Sequence, residues 1–198
     1  MIDPAIAAQL GSIATAELSD NLQRMNGIQG LRPFHAGGVL VGSALTVKTR
    51  AGDNKTIHEA MAAAQAGDVL VVDGEGDVSR ALVGEIMMEM AIAKGVAGFV
   101  IDGAIRDSAA FAASSFPCFA RSVTYRGPYK EGPGTIGAPV SIGGWVVKPG
   151  DIVVGDADGV VTFDPGQAEE LILAARKQQQ REAELLASIR KRHALVPE

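Results

Sequence analysis

The stretch GEIMMEMAIAKGVAGFVIDGAIRD, residues 84–107, decides the fold. Its first half has the composition of a helix and stops at Gly95, and its second half, from Ala97 onward, is an apolar run typical of a buried strand. The strand-like segment DVLVVD (residues 68–73) precedes it. A strand, a helix and a second strand in this order favour a parallel pair of strands joined by a right-handed crossover.

The lengths of the helix and of the second strand indicate where the chain returns. The helix from Gly84 to Lys94 advances about 15 Å at 1.5 Å per residue. The strand that ends at Asp102 travels about 16 Å back at roughly 3.3 Å per residue. We therefore expect Arg106 and Asp107 to lie beside the start of the helix, at the carboxyl edge of the sheet, where open α/β sheets tend to bind ligands.

The residues at this edge suit a small organic acid. Free backbone N–H groups of Gly84, Glu85, Ile86 and Met87 and the guanidinium of Arg106 can bind a carboxylate. Asp107 and Glu85 supply oxygen ligands of the kind that Mg²⁺ and Mn²⁺ prefer, and a divalent ion beside an anion site suits a 2-oxo acid. The alternative is structural: Arg106 and Asp107 cap a turn or form an ion pair, and spacing alone does not decide between the two interpretations.

Composition limits the class of protein. The 198 residues are 47% hydrophobic and 21% charged, which is typical of one globular domain, and we predict a single domain over 1–198. A net charge of −5 gives no reason to expect nucleic acid as a partner, and no apolar run reaches the roughly 20 residues of a membrane span. Because the single cysteine, Cys118, cannot form an internal disulfide, a cytoplasmic location is favoured. Cys118 is expected to be an inert, partly buried thiol.

The rest of the chain predicts a mixed α/β fold. We expect N-terminal helices within 1–25, a strand in 37–50, a helix over 53–66 and a C-terminal helix over 166–192. The whole of SRALVGEIMMEMAIAKG is interpreted as helix. Beyond residue 115, short Val-rich runs separated by turns predict an antiparallel β region.

These segments resemble a known family. The quoted stretch, together with TAELSDNL, GDN, HEA, GDVLVVDG, FPCFAR, RGPYKEGPG, PVSIGG and VKPGDIVVGDADGV, resembles the proteins called regulator of ribonuclease E activity A and the class II pyruvate aldolases that share their fold. The resemblance implies a β/β/α sandwich with a mixed sheet. It also implies cleavage of 4-hydroxy-4-methyl-2-oxoglutarate or 4-carboxy-4-hydroxy-2-oxoadipate to pyruvate, and decarboxylation of oxaloacetate.

The resemblance also implies roles for individual residues. Asp107 would be the direct metal ligand, Arg106 would bind the carboxylate or keto oxygen of the pyruvoyl group, and Glu85 would hold a water molecule of the metal. Backbone amides of Gly84–Met87 would bind the substrate carboxylate. Family members form trimers, or hexamers made of trimers, and a glutamate of a neighbouring subunit can complete the site; Glu182 and Glu184 are the candidates.

One position departs from the family pattern. The aldolases usually carry Glu or Asp three residues after the Asp of the Arg-Asp pair, whereas this chain has Ala110. The metal and anion sites do not depend on that carboxylate, but the retro-aldol step could. The alternative function is therefore a non-catalytic regulator that binds a ribonuclease of the ribonuclease E type.

Other candidate sites are better explained structurally. DADG (residues 156–159) lacks the full calcium-loop ligand set and is interpreted as a hairpin turn. Asp53, His58 and Glu59 match no zinc pattern, and a capping or inter-subunit role is favoured. The glycine-rich segment 127–137 is interpreted as a loop rather than a phosphate site. His35 and His193 are assigned to a loop and to the tail. Asp73 and Asp102 are assigned to strand ends, where capping and a position at the site are both open.

Overall fold

The computed structural model describes residues 2–193, with six α-helices and eleven strands in that range. Met1 and residues 194–198, which the predicted domain also includes, lie outside the described residues, as does the side chain of His193. The helices are α1 (Pro4–Leu10), α2 (Thr15–Asn21), α3 (Lys55–Ala63), α4 (Glu85–Lys94), α5 (Ser108–Ala113) and α6 (Ala168–His193). The strands are β1 (Arg32–Pro33), β2 (Leu40–Thr49), β3 (Asp68–Asp73), β4 (Ala81–Val83), β5 (Gly98–Ile105), β6 (Cys118–Val123), β7 (Gly134–Ile136), β8 (Val140–Ile142), β9 (Trp145–Val147), β10 (Ile152–Asp156) and β11 (Gly159–Phe163).

A mixed sheet forms the centre of the molecule. Its strand order is β1-β6-β5-β3-β2-β10-β11, with β4 paired to β5 and β7 paired to β2. The strands β2, β3, β5 and β6 run parallel to their neighbours within this set, and β10 and β11 are antiparallel. The predicted mixed α/β fold is confirmed.

Residues on the two faces of β3 and β5 explain the layers. Leu70 and Val72 belong to a buried cluster with apolar residues of α3, α4 and α5, whereas Val69 and Val71 belong to a second cluster with residues of β8 and β9, which form a separate two-stranded sheet. Because both faces of the sheet are covered at β3, the sequence of this strand is a continuous apolar run rather than an alternation of apolar and polar residues. A further apolar cluster joins α1, α2 and α6 to β10 and β11.

The segment before α4 corrects one prediction. Ala81–Val83 is not helical: it forms β4, fully buried and parallel to β5, and the helix begins only at Glu85. A chain pairing with a buried sheet edge satisfies its backbone groups there, which outweighs the helical propensity of these residues. The end of α4 is as expected, with Gly95 in the left-handed region at φ +74°.

Two further predictions about strands were wrong in part. β5 continues to Ile105, so Asp102 lies within a strand that has a register shift between Ile101 and Ala104, and not at its end. β6 lies beyond residue 115 but pairs parallel with β5, outside the antiparallel pattern. The remaining strands after residue 115 pair antiparallel, and DADG forms the predicted hairpin turn between β10 and β11.

The N-terminal and C-terminal helices occur where they were predicted, with α6 preceded by a 3-10 turn at Pro165–Gln167. Among residues 2–193, no helix combines the length and the apolar composition that crossing a membrane requires.

Leu70→Ala tests the central position of β3. Leu70 is fully buried between the sheet and the helices, and truncation of such a side chain costs about 2–5 kcal/mol of unfolding free energy. Urea denaturation measures the loss. Leu173→Ala, at an exposed position of α6, should change the free energy of unfolding by about 0.5 kcal/mol or less; equal effects of the two substitutions would contradict this assignment of the core.

Candidate active site

The start of α4 and the Arg106-Asp107 turn meet at the carboxyl end of β4 and β5. The backbone N–H of Glu85 donates to Oδ2 of Asp107 at 3.0 Å, and the N–H of Arg106 donates to the carbonyl of Val83 at 3.0 Å. The chain thus brings the two predicted segments into direct contact, as the matching helix and strand lengths indicated.

Gly84 makes this contact possible. A Cβ atom at position 84 would lie 2.5 Å from Oδ2 of Asp107 and 3.0 Å from Nε of Arg106, inside van der Waals contact. The backbone of Gly84 is extended at φ −153°, so the requirement is for space and not for an unusual conformation. A side chain here would occupy the position of the Asp107 carboxylate.

The backbone of Asp107 directs its side chain back toward α4. Asp107 has φ 55° and ψ 41°, a left-handed conformation that is uncommon for a residue with a Cβ, and its carbonyl accepts the N–H of Ala110 at 2.9 Å. Such outliers concentrate at functional sites. Nε of Arg106 lies 3.5 Å from Oδ2 of Asp107, and the two side chains are 42% and 40% exposed. Asp107 therefore caps the start of α4, as the structural interpretation expects. The side chains of Arg106 and Asp107 nevertheless remain accessible to solvent.

A cavity of about 290 Å³ opens beside this contact. One wall is the chain that leads into α4, with Arg106, and the other wall combines the start of α3 with the loop after β6. The first wall consists of Ala81, Leu82, Val83, Gly84, Ile86, Met87 and Arg106, and the second of Asn54, His58, Gly127, Pro128 and Lys130. Three of the four predicted backbone positions, together with Arg106, line the cavity, while Glu85 and Asp107 lie beside it without lining it.

The charges around the cavity favour an anion. Arg106 and Lys130 are cationic, and the N-terminal end of α4 carries the positive end of the helix dipole. Burial, with a smaller contribution from the positive charge of Lys130, lowers the pKa of His58 below its ordinary value. The imidazole is consequently neutral at pH 7 and adds no charge of its own.

Asn54 presents an unused acceptor among the lining residues. Its Nδ2 donates to the carbonyl of Leu82 at 3.0 Å and contacts the sulfur of Met87 at 3.7 Å, so the Leu82 carbonyl fixes which side of the amide carries the nitrogen. Its Oδ1 is buried and has no hydrogen-bond partner within residues 2–193. Unsatisfied buried acceptors are uncommon in folded proteins and call for an explanation.

Several other candidates have structural roles. Asp53 accepts the N–H of Lys55 at 2.9 Å, which is the predicted capping role. Asp102 forms an ion pair with Arg121, and its pKa is raised mainly by burial, which outweighs the effect of that pair. Asp73 faces Lys48 at 3.8 Å. Cys118 is fully buried, and burial raises its pKa, as expected for an inert thiol.

The remaining candidates lie away from the cavity lining. Glu182 and Glu184 are exposed on α6, where they accept hydrogen bonds from Gln178 and Gln180 of the same helix. His35 lies in the loop after β1, and its Nδ1 accepts the N–H of Cys118 at 3.1 Å.

The oxygen donors at the site fit a largely hydrated divalent ion. Oδ2 of Asp107 is used by the Glu85 N–H, which leaves Oδ1, and the side chain of Glu85 is exposed at the start of α4. Within residues 2–193 no group of three or more His, Cys, Asp or Glu side chains could enclose a metal ion. Mg²⁺ commonly binds through one or two carboxylates and keeps several waters, so these residues suffice for such an ion.

Most of the chain matches the model of a known protein family. The model of the RraA-like family, described as Aldolase/RraA, matches residues 15–162. The chain belongs to the RraA-like family. The match spans every residue that lines the cavity, so the RraA-like resemblance extends to the candidate site itself.

Relatives and solved structures that resemble this chain carry different names. A protein of Halalkalibacterium halodurans named "Putative 4-hydroxy-4-methyl-2-oxoglutarate aldolase" is 42% identical over 172 residues, which cover 86% of this chain and 82% of that protein. An uncharacterized Pseudomonas syringae protein superimposes with a TM-score of 0.87 at 28% identity, covering 96% of this chain and 90% of the other. The RNA-processing inhibitor RraA of Thermus thermophilus superimposes with a TM-score of 0.70 at 29% identity, covering 76% and 92%.

The second wall of the cavity was not predicted from the sequence. Asn54, His58 and Lys130 fall in GDN, HEA and RGPYKEGPG, which carried the family resemblance but received no role at the site. The polar and ionisable side chains of these residues were visible in the sequence. Their position opposite Arg106 depends on how the loop after β6 folds onto the start of α3.

Gly84→Ala tests the close approach at position 84. The new methyl group would displace the Asp107 carboxylate, a movable side chain, so we expect the free energy of unfolding to fall by about 1 kcal/mol or less while the Glu85 N–H loses its acceptor. Amide hydrogen exchange at Glu85 should then accelerate. Gly11→Ala, where a Cβ meets only ordinary contacts, is the matched control, and unchanged exchange at Glu85 in Gly84→Ala would argue against the contact.

Proposed function

We propose that this protein is a divalent-metal-dependent lyase that acts on 2-oxo acids and releases pyruvate. The observation that carries the proposal is the meeting of the α4 N-terminus, Arg106 and Asp107 at the edge of a cavity with cationic lining. Aldolase names on relatives support the same reaction class. The substrates proposed are oxaloacetate for decarboxylation, and 4-hydroxy-4-methyl-2-oxoglutarate or 4-carboxy-4-hydroxy-2-oxoadipate for aldol cleavage.

Arg106 and the first turn of α4 would bind the pyruvoyl end of the substrate. The planar guanidinium suits a carboxylate or a keto oxygen, and the N–H groups of Ile86 and Met87 stand in the first turn of the helix, where backbone donors have no partner within the helix. Asp107 holds the turn in place through the Glu85 N–H, which fixes the guanidinium relative to the helix end.

The bond that breaks lies between C3 and C4 of the substrate. Its electron pair passes to the keto group of the pyruvoyl half, and the resulting enolate takes up a proton at C3 to become pyruvate. A bound Mg²⁺ or Mn²⁺ would supply charge stabilisation for that enolate. Asp107 is the residue proposed to hold the ion, and the carboxylate of Glu85 is proposed to orient a water molecule beside it, since no histidine stands in the Arg-Asp turn.

Ala110 bears on which substrate is used. It is half-buried on α5, where it packs against the core, and it brings no carboxylate toward Asp107. Decarboxylation of oxaloacetate releases CO₂ and needs no base at C4, whereas aldol cleavage must also remove the proton of the C4 hydroxyl. Decarboxylation is therefore the activity to measure first.

Arg106→Ala and Asp107→Ala should each abolish oxaloacetate decarboxylation in a protein that stays folded. The loss of a preorganised cation or of the proposed metal ligand is expected to reduce kcat/KM by at least about 100-fold. Pyruvate release, coupled to a reporting dehydrogenase, measures the rate, and circular dichroism checks the fold. Arg24→Ala, a mostly exposed arginine paired with Asp20, is the control. Full activity in either site variant would remove the proposed role.

Removal of divalent ions should stop the reaction reversibly. We expect EDTA-treated protein to lose oxaloacetate decarboxylation and to recover it when Mg²⁺ or Mn²⁺ is added, because the oxygen donors at the site suit hard cations. Asp107→Asn should show a higher metal concentration for half-maximal activity than the unmodified protein. Activity that persists in metal-free protein would contradict metal dependence.

The protein is further proposed to assemble as a homotrimer or as a hexamer made of trimers. In such an assembly the partner's Glu182 or the partner's Glu184 would complete the site. Mass measurement in solution tests the assembly.

A regulatory function is the second candidate, and it is favoured by Ala110 and by the structural likeness to an RNA-processing inhibitor. In this alternative the protein binds a nuclease of the ribonuclease E type through its surface and has no catalytic role. Inhibition of RNA cleavage by that nuclease, in protein that is inactive toward 2-oxo acids at saturating Mg²⁺, would support it.

A further inference from the structure

Part of the second wall of the cavity is a loop without helix or strand. This loop, residues 127–132 and here called the outer loop, contributes Gly127, Pro128 and Lys130 to the lining. Such a segment holds its position only through contacts with the rest of the molecule. Its contacts therefore determine where the charge of Lys130 lies relative to Arg106.

Asp53 binds the outer loop and the start of α3 with a single carboxylate. The residue is fully buried; Oδ1 accepts the N–H of Lys55 at 2.9 Å, and Oδ2 accepts the N–H groups of Glu131 at 2.8 Å and Gly132 at 2.9 Å. Burial by itself would raise the pKa of Asp53, but these three backbone donors, with Arg50 nearby, hold the pKa below its usual value. The carboxylate is consequently ionised at neutral pH, the form that accepts all three hydrogen bonds.

Backbone hydrogen bonds continue the same connection. The N–H of Asn54 donates to the carbonyl of Tyr129 at 3.0 Å, and the N–H of Tyr129 donates to the carbonyl of Gly52 at 2.8 Å. Asn54 is itself a lining residue with an unused acceptor, so the outer loop is attached directly to the start of α3, the other part of the same wall.

Arg80 holds the other end of the outer loop. Its Nη1 donates to the carbonyl of Gly127 at 2.8 Å, and its guanidinium carbon lies 4.0 Å from the centre of the Tyr129 ring, a cation–π distance. Next to Arg80, the N–H of Ala81 donates to the carbonyl of Arg126 at 2.8 Å. Since β4 begins at Ala81 and leads into Gly84, this end of the loop is joined to the wall that carries Arg106.

We propose that Asp53 and Arg80 are positioning residues of the cavity: they hold the outer loop, and with it Lys130, between the start of α3 and the wall formed by β4 and α4. Neither residue lines the cavity, and both act through the loop. The proposal rests on the proposed function in one respect, because its kinetic test uses the decarboxylation of oxaloacetate. It assigns to these two residues a contribution to substrate binding and none to bond cleavage, which takes place beside Arg106 and Asp107.

Asp53→Asn and Arg80→Met are the test variants. Asparagine keeps the size of the side chain, but its Nδ2 cannot accept an N–H, so one or two hydrogen bonds to the loop or to α3 are lost; methionine removes both the hydrogen bond to Gly127 and the contact with Tyr129. We expect KM for oxaloacetate to rise about tenfold in each variant while kcat stays within about threefold, because loosening the loop weakens binding and leaves the reacting groups in place. Asp151→Asn and Arg176→Met are matched controls: Asp151 is a buried aspartate that accepts a turn N–H, and Arg176 binds Ser12 of another element.

Limited trypsin digestion of the folded protein measures the accessibility of the outer loop independently of activity. Trypsin can cut after Arg126, at the start of the loop, and after Lys130 within it. Cleavage at both bonds should accelerate about tenfold in the two test variants and remain unchanged in the two controls. Should Asp53→Asn fail to fold, Arg80→Met decides, since Arg80 is only half-buried.

The outcomes separate this proposal from the proposed function. Wild-type protein without decarboxylase activity would remove the proposed lyase, while the trypsin pattern would still test the attachment of the loop. Active wild-type protein, together with variants that keep both its KM and its trypsin pattern, would overturn the positioning role and leave the lyase intact. Faster cleavage with unchanged KM, or a loss confined to kcat, would also overturn it.

Discussion

The hydrogen bond from the Glu85 N–H to the Asp107 carboxylate is the contact on which the candidate site depends. It joins the first residue of a helix to a turn that follows the neighbouring strand, and it forms only because position 84 has no Cβ. Asp107 in a left-handed conformation points its carboxylate at the helix, and Arg106 is placed beside it at the cavity. A structural cap and the candidate site are thus built from the same two residues, which is why spacing alone could not separate the two interpretations.

The cavity differs in character between its two walls. The wall with Arg106 is formed by regular structure, a short buried strand and a helix N-terminus, so its groups are held rigidly. The wall with Lys130 includes a loop that is hydrogen-bonded to the buried carboxylate of Asp53 and to Arg80. This division suits the proposed lyase, in which the pyruvoyl half of every substrate would bind in the same way and the second half would vary. It would also permit proteins with the same fold to act on different acids or on none.

Membership of the RraA-like family is compatible with both the enzymatic and the regulatory proposals. The features that favour catalysis are local: an accessible arginine, an aspartate with one free oxygen, a neutral histidine and an unsatisfied amide acceptor around one cavity. A surface that acts only by binding another protein has no need for these groups to converge. Within the proposed lyase, Ala110 bears on aldol cleavage alone, because it packs against the core and brings no carboxylate to the site.

The sequence by itself determined the parallel strand–helix–strand unit and the edge at which Arg106 and Asp107 return to the helix start, because these follow from local periodicity and from element lengths. It also indicated the hairpin at DADG and the inert character of Cys118. Only the tertiary structure decided that Ala81–Val83 is a strand, because pairing with a buried edge overrides helical propensity. Likewise, only the tertiary structure brought Asn54, His58 and Lys130 opposite Arg106, because that wall is assembled from segments about 70 residues apart whose contact depends on the carboxylate of Asp53 and not on any local pattern.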